Sequence, residues 1–317
     1  MGAGQIGTQE VEKSSNENMP SKLTVRVGCR LTYETIRPAP IVLLIRPRLE
    51  NGQIIRNEKL TILCEQDAQD AQEYQDGHGN ITHRWVLQPG QTTITHDAFV
   101  EVSSMADDFN QKTQLVPVEE LTPDILRYTL PSRYCDSDKM LVFSATQFGS
   151  LINGRDRVIA ICNWVHQNIR YVTCSGRPDL SASEIMARGY GVCRDFAHVA
   201  IALCRAVNIP ARYVTGHLPD IGFTDPGTPM DFHAYFEVYL EHQWCIFDAR
   251  FNTPRIGRVK IAHGLDAVDG SVSTTHGEAQ LAYFEVWSYQ VNPDVVLIGD
   301  PIDLSKRLDG TPQVRFV

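Results

Sequence analysis

The chain's 317 residues exceed the usual span of one core and point to about two domains. With 43% hydrophobic and 21% charged residues it has a globular composition, and only Met1 to about Pro20 lacks the apolar density to pack. A net charge of −9 without a long basic run argues against nucleic acid or an anionic membrane as partner, and the longest apolar run, Ile41–Ile45, is far too short to cross a bilayer.

From Lys22 the residues Leu23, Val25, Val27, Cys29, Leu31 and Tyr33 alternate as a half-buried strand requires. Further strand-like runs follow at 40–45, 53–64, 83–87 and 92–102, separated by turn signals such as Asp76–Asn80 and Pro89-Gly90. This pattern predicts a β-sandwich-like domain over about 21–130, closed by a linker at 116–133 that holds three prolines. The second unit, 131–290, opens with helices. Val158, Ile161, Cys162, Val165 and Ile169 recur at helical spacing, and a short helix over 182–188 stops at Gly189.

A third helix begins at Cys193, with Phe196, Val199, Ala200, Leu203 and Val207 on one face. The thiol shares that inward face. Strands predicted at 211–218, 233–240 and 244–249 supply an antiparallel sheet to pack on. An even-length loop between the last two would set Tyr235 opposite Asp248 and bring Asp248 and His233 onto one face, whereas an odd loop would separate them. The extension 291–317 carries no strong pattern.

The eight cysteines include no C-x-x-C pair, and without an export-type N-terminal stretch the chain is expected in the cytoplasm with most thiols reduced and buried. A zinc site from Cys193, His198 and Cys204 is conceivable, but a core cysteine and a helix histidine explain those residues more simply. Asp136-Ser137-Asp138 is only a fragment of a calcium loop. No metal and no cofactor are implied.

Cys193 carries the chemistry. A thiol at a helix start feels the positive field of unpaired N–H groups, which favours the thiolate. An imidazole against it could move a proton, and a carboxylate behind the imidazole would fix its tautomer. His233 and Asp248 follow in that order.

The stretch Gly191-Val192-Cys193-Arg194-Asp195-Phe196-Ala197, with Asn208-Ile209-Pro210-Ala211-Arg212-Tyr213-Val214, Asp231-Phe232-His233-Ala234-Tyr235-Phe236-Glu237 and Phe247-Asp248-Ala249-Arg250, resembles the bacterial transglutaminase-like superfamily. The region from about 22 to 100 resembles the β-rich segment that accompanies this core in bacterial members. The resemblance implies an α+β papain-like core, with helices packed on an antiparallel sheet. It implies Cys193 as nucleophile, His233 as general base and acid, Asp248 as orienting carboxylate, and a protein or peptide as substrate. Two departures flank the triad: Tyr235 where many members have Trp, and Ala249-Arg250 where many have Pro-Thr. They leave the triad intact and bear on substrate preference.

Two other readings stay open at this point. Arylamine N-acetyltransferases share the Cys, His, Asp order, but their coenzyme A needs basic contacts, and no Lys or Arg cluster is evident beside the triad segments. A binding module on the same scaffold would not need the three side chains to converge. The loop 221–230 before His233 could cover the cleft or merely connect.

Overall fold

The computed structural model describes residues 22–50, 52–64, 71–107, 113–224 and 229–309. The expected N-terminal tail lies outside these residues, as does part of the loop before His233, residues 225–228.

Two antiparallel sheets form the first unit. One holds β1 (Lys22–Thr35), β3 (Gln53–Cys64), β6 (Gly90–Ser103) and β14 (Gln280–Gln290) in the order β14-β1-β6-β3. The other holds β2 (Ala39–Leu43), β4 (Gln72–Gln75), β5 (Ile81–Leu87) and β13 (Ser273–Thr275) in the order β13-β2-β5-β4. The alternation of β1 does what it predicts: Cys29, Leu31 and Tyr33 meet Ile41, Leu43, Trp85 and Leu87 in one buried cluster between the sheets. Such aliphatic and aromatic burial contributes roughly 1.5–3 kcal/mol per side chain.

The strands β13 and β14, from residues 273–290, hydrogen-bond to β2 and β1. The chain therefore leaves the first unit, builds the second and returns. Periodicity hides β14 because both of its faces are covered near its end. Val286 joins the core between the sheets, while Trp287 and Tyr289 pack with Phe99, Val291 and Val296 on the outer face. Gly28 makes room for this, since a Cβ there would lie 2.4 Å from the Trp287 ring.

The second unit holds α1 (Pro123–Leu126), α2 (Leu141–Phe148), α3 (Gly154–Asn168), α4 (Ala182–Arg188) and α5 (Cys193–Ala206). A two-residue parallel pair, β7 (Arg170–Tyr171) and β8 (Tyr190–Gly191), leads into α5. Its antiparallel sheet runs β11-β10-β9-β12, from β9 (Ala211–His217), β10 (His233–Leu240), β11 (Gln243–Phe247) and β12 (Val259–Gly264). This is the α+β arrangement expected. Local chemistry sets the helix ends: Ser181 N–H donates to Glu184 Oε2 at 2.7 Å at the start of α4, and Gly189 at φ +75° ends it.

The helix α5 is covered more completely than its apolar stripe predicts. From Asp195 to Ala206 every residue is buried, because α3 and α4 pack on it beside β9 and β10. Two of its polar residues find partners in place. Arg205 donates to the carbonyls of Ala211, Leu130 and Leu265, and His198 Nε2 accepts the Ala267 N–H at 3.1 Å.

The loop between β10 and β11 is even, two residues long. Glu241 and His242 both take positive φ, 45° and 61°, the geometry that matches the twist of a tight hairpin. Neither residue is Gly or Asn, so the turn is strained; Gln114 clamps it, accepting the Glu241 N–H and donating its own N–H to Glu241 Oε1. The consequence is register. Phe236 faces Phe247, so the next rung sets Tyr235 opposite Asp248.

Candidate active site

Three local features place Cys193 at the first position of α5. The parallel pair pins Gly191 to Tyr171, Gly189 turns the chain, and Asp195 reaches back to accept the Val192 N–H at 2.9 Å. Gly191 is required for that contact, since a Cβ there would lie 2.5 Å from Asp195 Oδ2. The N–H groups of the first turn have no intrahelical acceptor, so the sulfur sits in their positive field.

His233 opens β10 opposite Gly216 of β9. Its Nε2 lies 2.7 Å from Asp248 Oδ2, and it lines the same cleft as Cys193. With Nε2 engaged, Nδ1 is the nitrogen left for the sulfur. The three residues singled out in the sequence thus converge. Burial works to lower the His233 pKa, but the charge and hydrogen bond of Asp248, with the contact to Cys193, outweigh it and push it up.

Asp248 is saturated. Oδ1 accepts the N–H groups of Arg250 and Phe251 at 3.0 and 3.1 Å, while Oδ2 accepts Arg258 Nη2 at 2.9 Å beside the His233 bond. Burial alone would raise this carboxyl; His233 and Arg258 instead hold it far below the ordinary carboxylate range.

Arg258 was not singled out by sequence reasoning. Its Nε donates to Asp107 Oδ2 at 2.8 Å, and its guanidinium lies 4.7 Å from the Tyr235 ring centroid. Asp107 follows β6, so a residue just beyond a strand of the first unit ends up three contacts from His233, through Arg258 and Asp248. Nothing in the sequence links positions 107 and 248. Tyr171 was also passed over, although it closes the short exit from α3 and lies in the cleft beside Cys193.

The cleft, about 140 Å³, lies among Tyr171, Cys193, Met230, Phe232, His233 and Arg250. A larger depression of about 750 Å³ lies around Glu34, Gly90 and Gln280, and neither thiol nor imidazole lines it. The expectation that no basic cluster stands beside the triad is corrected here. Arg250, Arg255 and Arg258 all follow Asp248 in the loop between β11 and β12, and two of them are buried, Arg258 held by Asp107 and Arg255 by Asp220 at 3.0 Å.

The core of the transglutaminase-like superfamily matches residues 145–249, a span that includes all three converging residues. The solved structure of "a Putative Cysteine Protease from Cytophaga hutchinsonii" is 32% identical to this chain with a TM-score of 0.78, covering 86% of this chain and 91% of that one. The chain belongs to the transglutaminase-like superfamily. Other relatives of this transglutaminase-like protein are an uncharacterized protein of Mycobacterium leprae, 25% identical over 63% of this chain and 72% of that protein, and one of Mycobacterium tuberculosis, 27% identical over 55% and 60%. Among its described residues no helix is long and apolar enough to cross a membrane.

Proposed function

We propose that this transglutaminase-like protein transfers or hydrolyses acyl groups at amide bonds of proteins or peptides, through Cys193, His233 and Asp248. One observation carries the reading: a single buried imidazole is hydrogen-bonded to a saturated carboxylate and shares its cleft with a helix-start thiol. Asp248 accepts the Nε2 proton and so presents Nδ1 to the sulfur. The thiol proton passes to Nδ1, and Asp248 stabilises the resulting imidazolium. The sulfur then bonds the amide carbon, and His233 returns the proton to the departing amine as the C–N bond breaks. A thioester remains on Cys193. Water or a second amine attacks it, with neutral His233 taking the proton from the attacking group.

Negative charge on the carbonyl oxygen needs donors. The Cys193 N–H is one, and we assign Tyr171 as the second, because it lines the cleft beside the sulfur and its phenol is kept protonated by burial first and by the Cys193 charge next. The compartment we assign is the cytoplasm, where the unbridged, buried thiols of Cys29, Cys135, Cys162 and Cys204 would stay reduced.

The test is thiol reactivity together with turnover. Burial pushes Cys29 and Cys135 up to about 12 and raises Cys162 and Cys204 as well, so these compete poorly for iodoacetamide. Cys174 is exposed and serves as the internal reference. Cys193 is expected to react first, and Cys193→Ala and His233→Ala to lose turnover of a peptidyl substrate library while keeping the far-UV spectrum. Labelling of Cys193 no faster than Cys174 would sink the reading.

A further inference from the structure

Arg250 stands two residues after Asp248. Its backbone is fixed, with its N–H on Asp248 Oδ1 at 3.0 Å and its carbonyl accepting from His166 Nδ1 at 3.1 Å. Its half-buried guanidinium lies over the Tyr171 ring, 3.7 Å from the centroid. The Phe251 ring stands on another side at 5.1 Å. Tyr171, Cys193 and Arg250 line the same small cleft.

The other charges of the cleft are spent. Arg255 pairs with Asp220 at 3.0 Å and donates to the Pro219 carbonyl, also at 3.0 Å. Asp231 accepts the Phe232 N–H at 2.7 Å, and burial pushes its carboxyl toward the neutral acid. Asp248 holds four donors. Among the described residues no carboxylate forms an ion pair with Arg250, whereas Arg255 and Arg258 each have one or more. A guanidinium held over an aromatic ring still has N–H donors for a planar anion, and loses little freedom on binding one. The chain's overall −9 does not oppose this, since charges beyond about 8 Å are screened at physiological salt.

We propose that Arg250 selects acyl donors that carry a carboxylate close to the amide under attack. This rests on the acyl-transfer reading above and narrows its substrate class from peptides in general to anionic ones. The carboxylate can belong to a side chain on the acyl side or to a chain terminus on the amine side. Both present the same planar anion to the guanidinium.

Two pairs of thiol-directed probes separate these sources, each pair differing only in carboxylate against carboxamide. Glutamyl and glutaminyl chloromethyl ketones place the group on the acyl side; N-iodoacetylglycine and N-iodoacetylglycinamide place it on the amine side. In all four the Cys193 thiolate bonds the halomethyl carbon as halide leaves, so the readout is the labelling rate at Cys193 and needs no known substrate. The full-length protein is expected to favour the carboxylate member of at least one pair by about tenfold, the scale of a charge-assisted contact in a partly exposed cleft. Arg250→Gln should bring that ratio to about one, and Arg250→Lys should keep part of the preference. The pair that responds names the source. Ratios near one in the wild type, or ratios unmoved by Arg250→Gln while Cys193 still outpaces Cys174, overturn the proposal alone. Labelling of Cys193 no faster than Cys174 removes the acyl-transfer reading and this proposal with it.

Discussion

Two buried aspartates, one in each unit, are built alike and do different things. Asp97, on β6, takes Arg26 in a two-bond fork at 2.9 and 2.7 Å, the Trp287 indole N–H at 3.0 Å and the Gly299 N–H at 2.8 Å. Asp248 likewise takes four donors, one of them an arginine side chain. The difference lies in the fourth partner. Every donor on Asp97 is permanently charged or never titrates near neutrality, so that cluster is a tie between β1, β6, β14 and the segment after it. One donor on Asp248 is an imidazole that lines a cleft with a thiol, so in the acyl transfer we propose the same saturation would serve to hold and release a proton. A satisfied buried carboxylate is therefore no signature of chemistry by itself; the titratable neighbour with access to a ligand is.

Substitution at these two sites should separate the roles most widely. Asp248→Asn keeps the shape but cannot accept the Nε2 proton as a charged partner, and turnover is expected to fall by a factor on the order of 10³ to 10⁴ in kcat. Asp97→Ala leaves Arg26 buried without its counter-ion, and unfolding free energy should fall by roughly 3–5 kcal/mol, read by chemical denaturation. The protein that remains folded should retain its kcat. A kcat loss at Asp97 larger than the loss of folded protein would break the comparison.

Arg258 sharpens it. The guanidinium shares Oδ2 with His233, so it competes for the charge that holds the imidazolium. Arg258→Gln should lower kcat by about tenfold and move the alkaline limb of the kcat/KM profile upward, because Asp248 then grips the His233 proton harder. Arg258→Lys should bring the limb back, which a purely structural role would not do.

The smallest effect belongs to the first unit's outer network. Burial would raise Glu58, but the His96 hydrogen bond and then Arg46 outweigh it and hold its carboxyl at about 2. A depressed carboxyl contributes stability that is present above its unfolded pKa of about 4.3 and is lost as pH falls through the folded value. Glu58→Gln should accordingly flatten the fall of Tm between about pH 4 and 2 and leave kcat unchanged. An unaltered slope would mean that Glu58 is not held in this way.

Much of the architecture was legible because single periods dominate particular stretches. The strands β1, β3 and β6 show their alternation, α4 carries its capping box and terminal glycine, and α5 follows a glycine-rich approach to Cys193. The site was legible for a related reason: thiol, imidazole and carboxylate each stand at the end of an element that periodicity can find. The strand β12 was not, since all six of its residues are buried and two of them, Lys260 and His263, are polar. Lys260 is buried only because Glu50 at 2.7 Å and Glu237 meet its ammonium, and no sequence window holds all three.

Leaving the register between β10 and β11 open, local order therefore determined the elements and the helix start that carries Cys193. These depend on neighbours a few residues apart, where spacing alone sets which face a side chain takes. Tertiary structure decided which sheets β13 and β14 complete, that Asp107 reaches Asp248 through Arg258, and that of three arginines in nine residues only Arg250 is left without a carboxylate. Those outcomes turn on which charges are buried against which, and burial is a property of the packed whole.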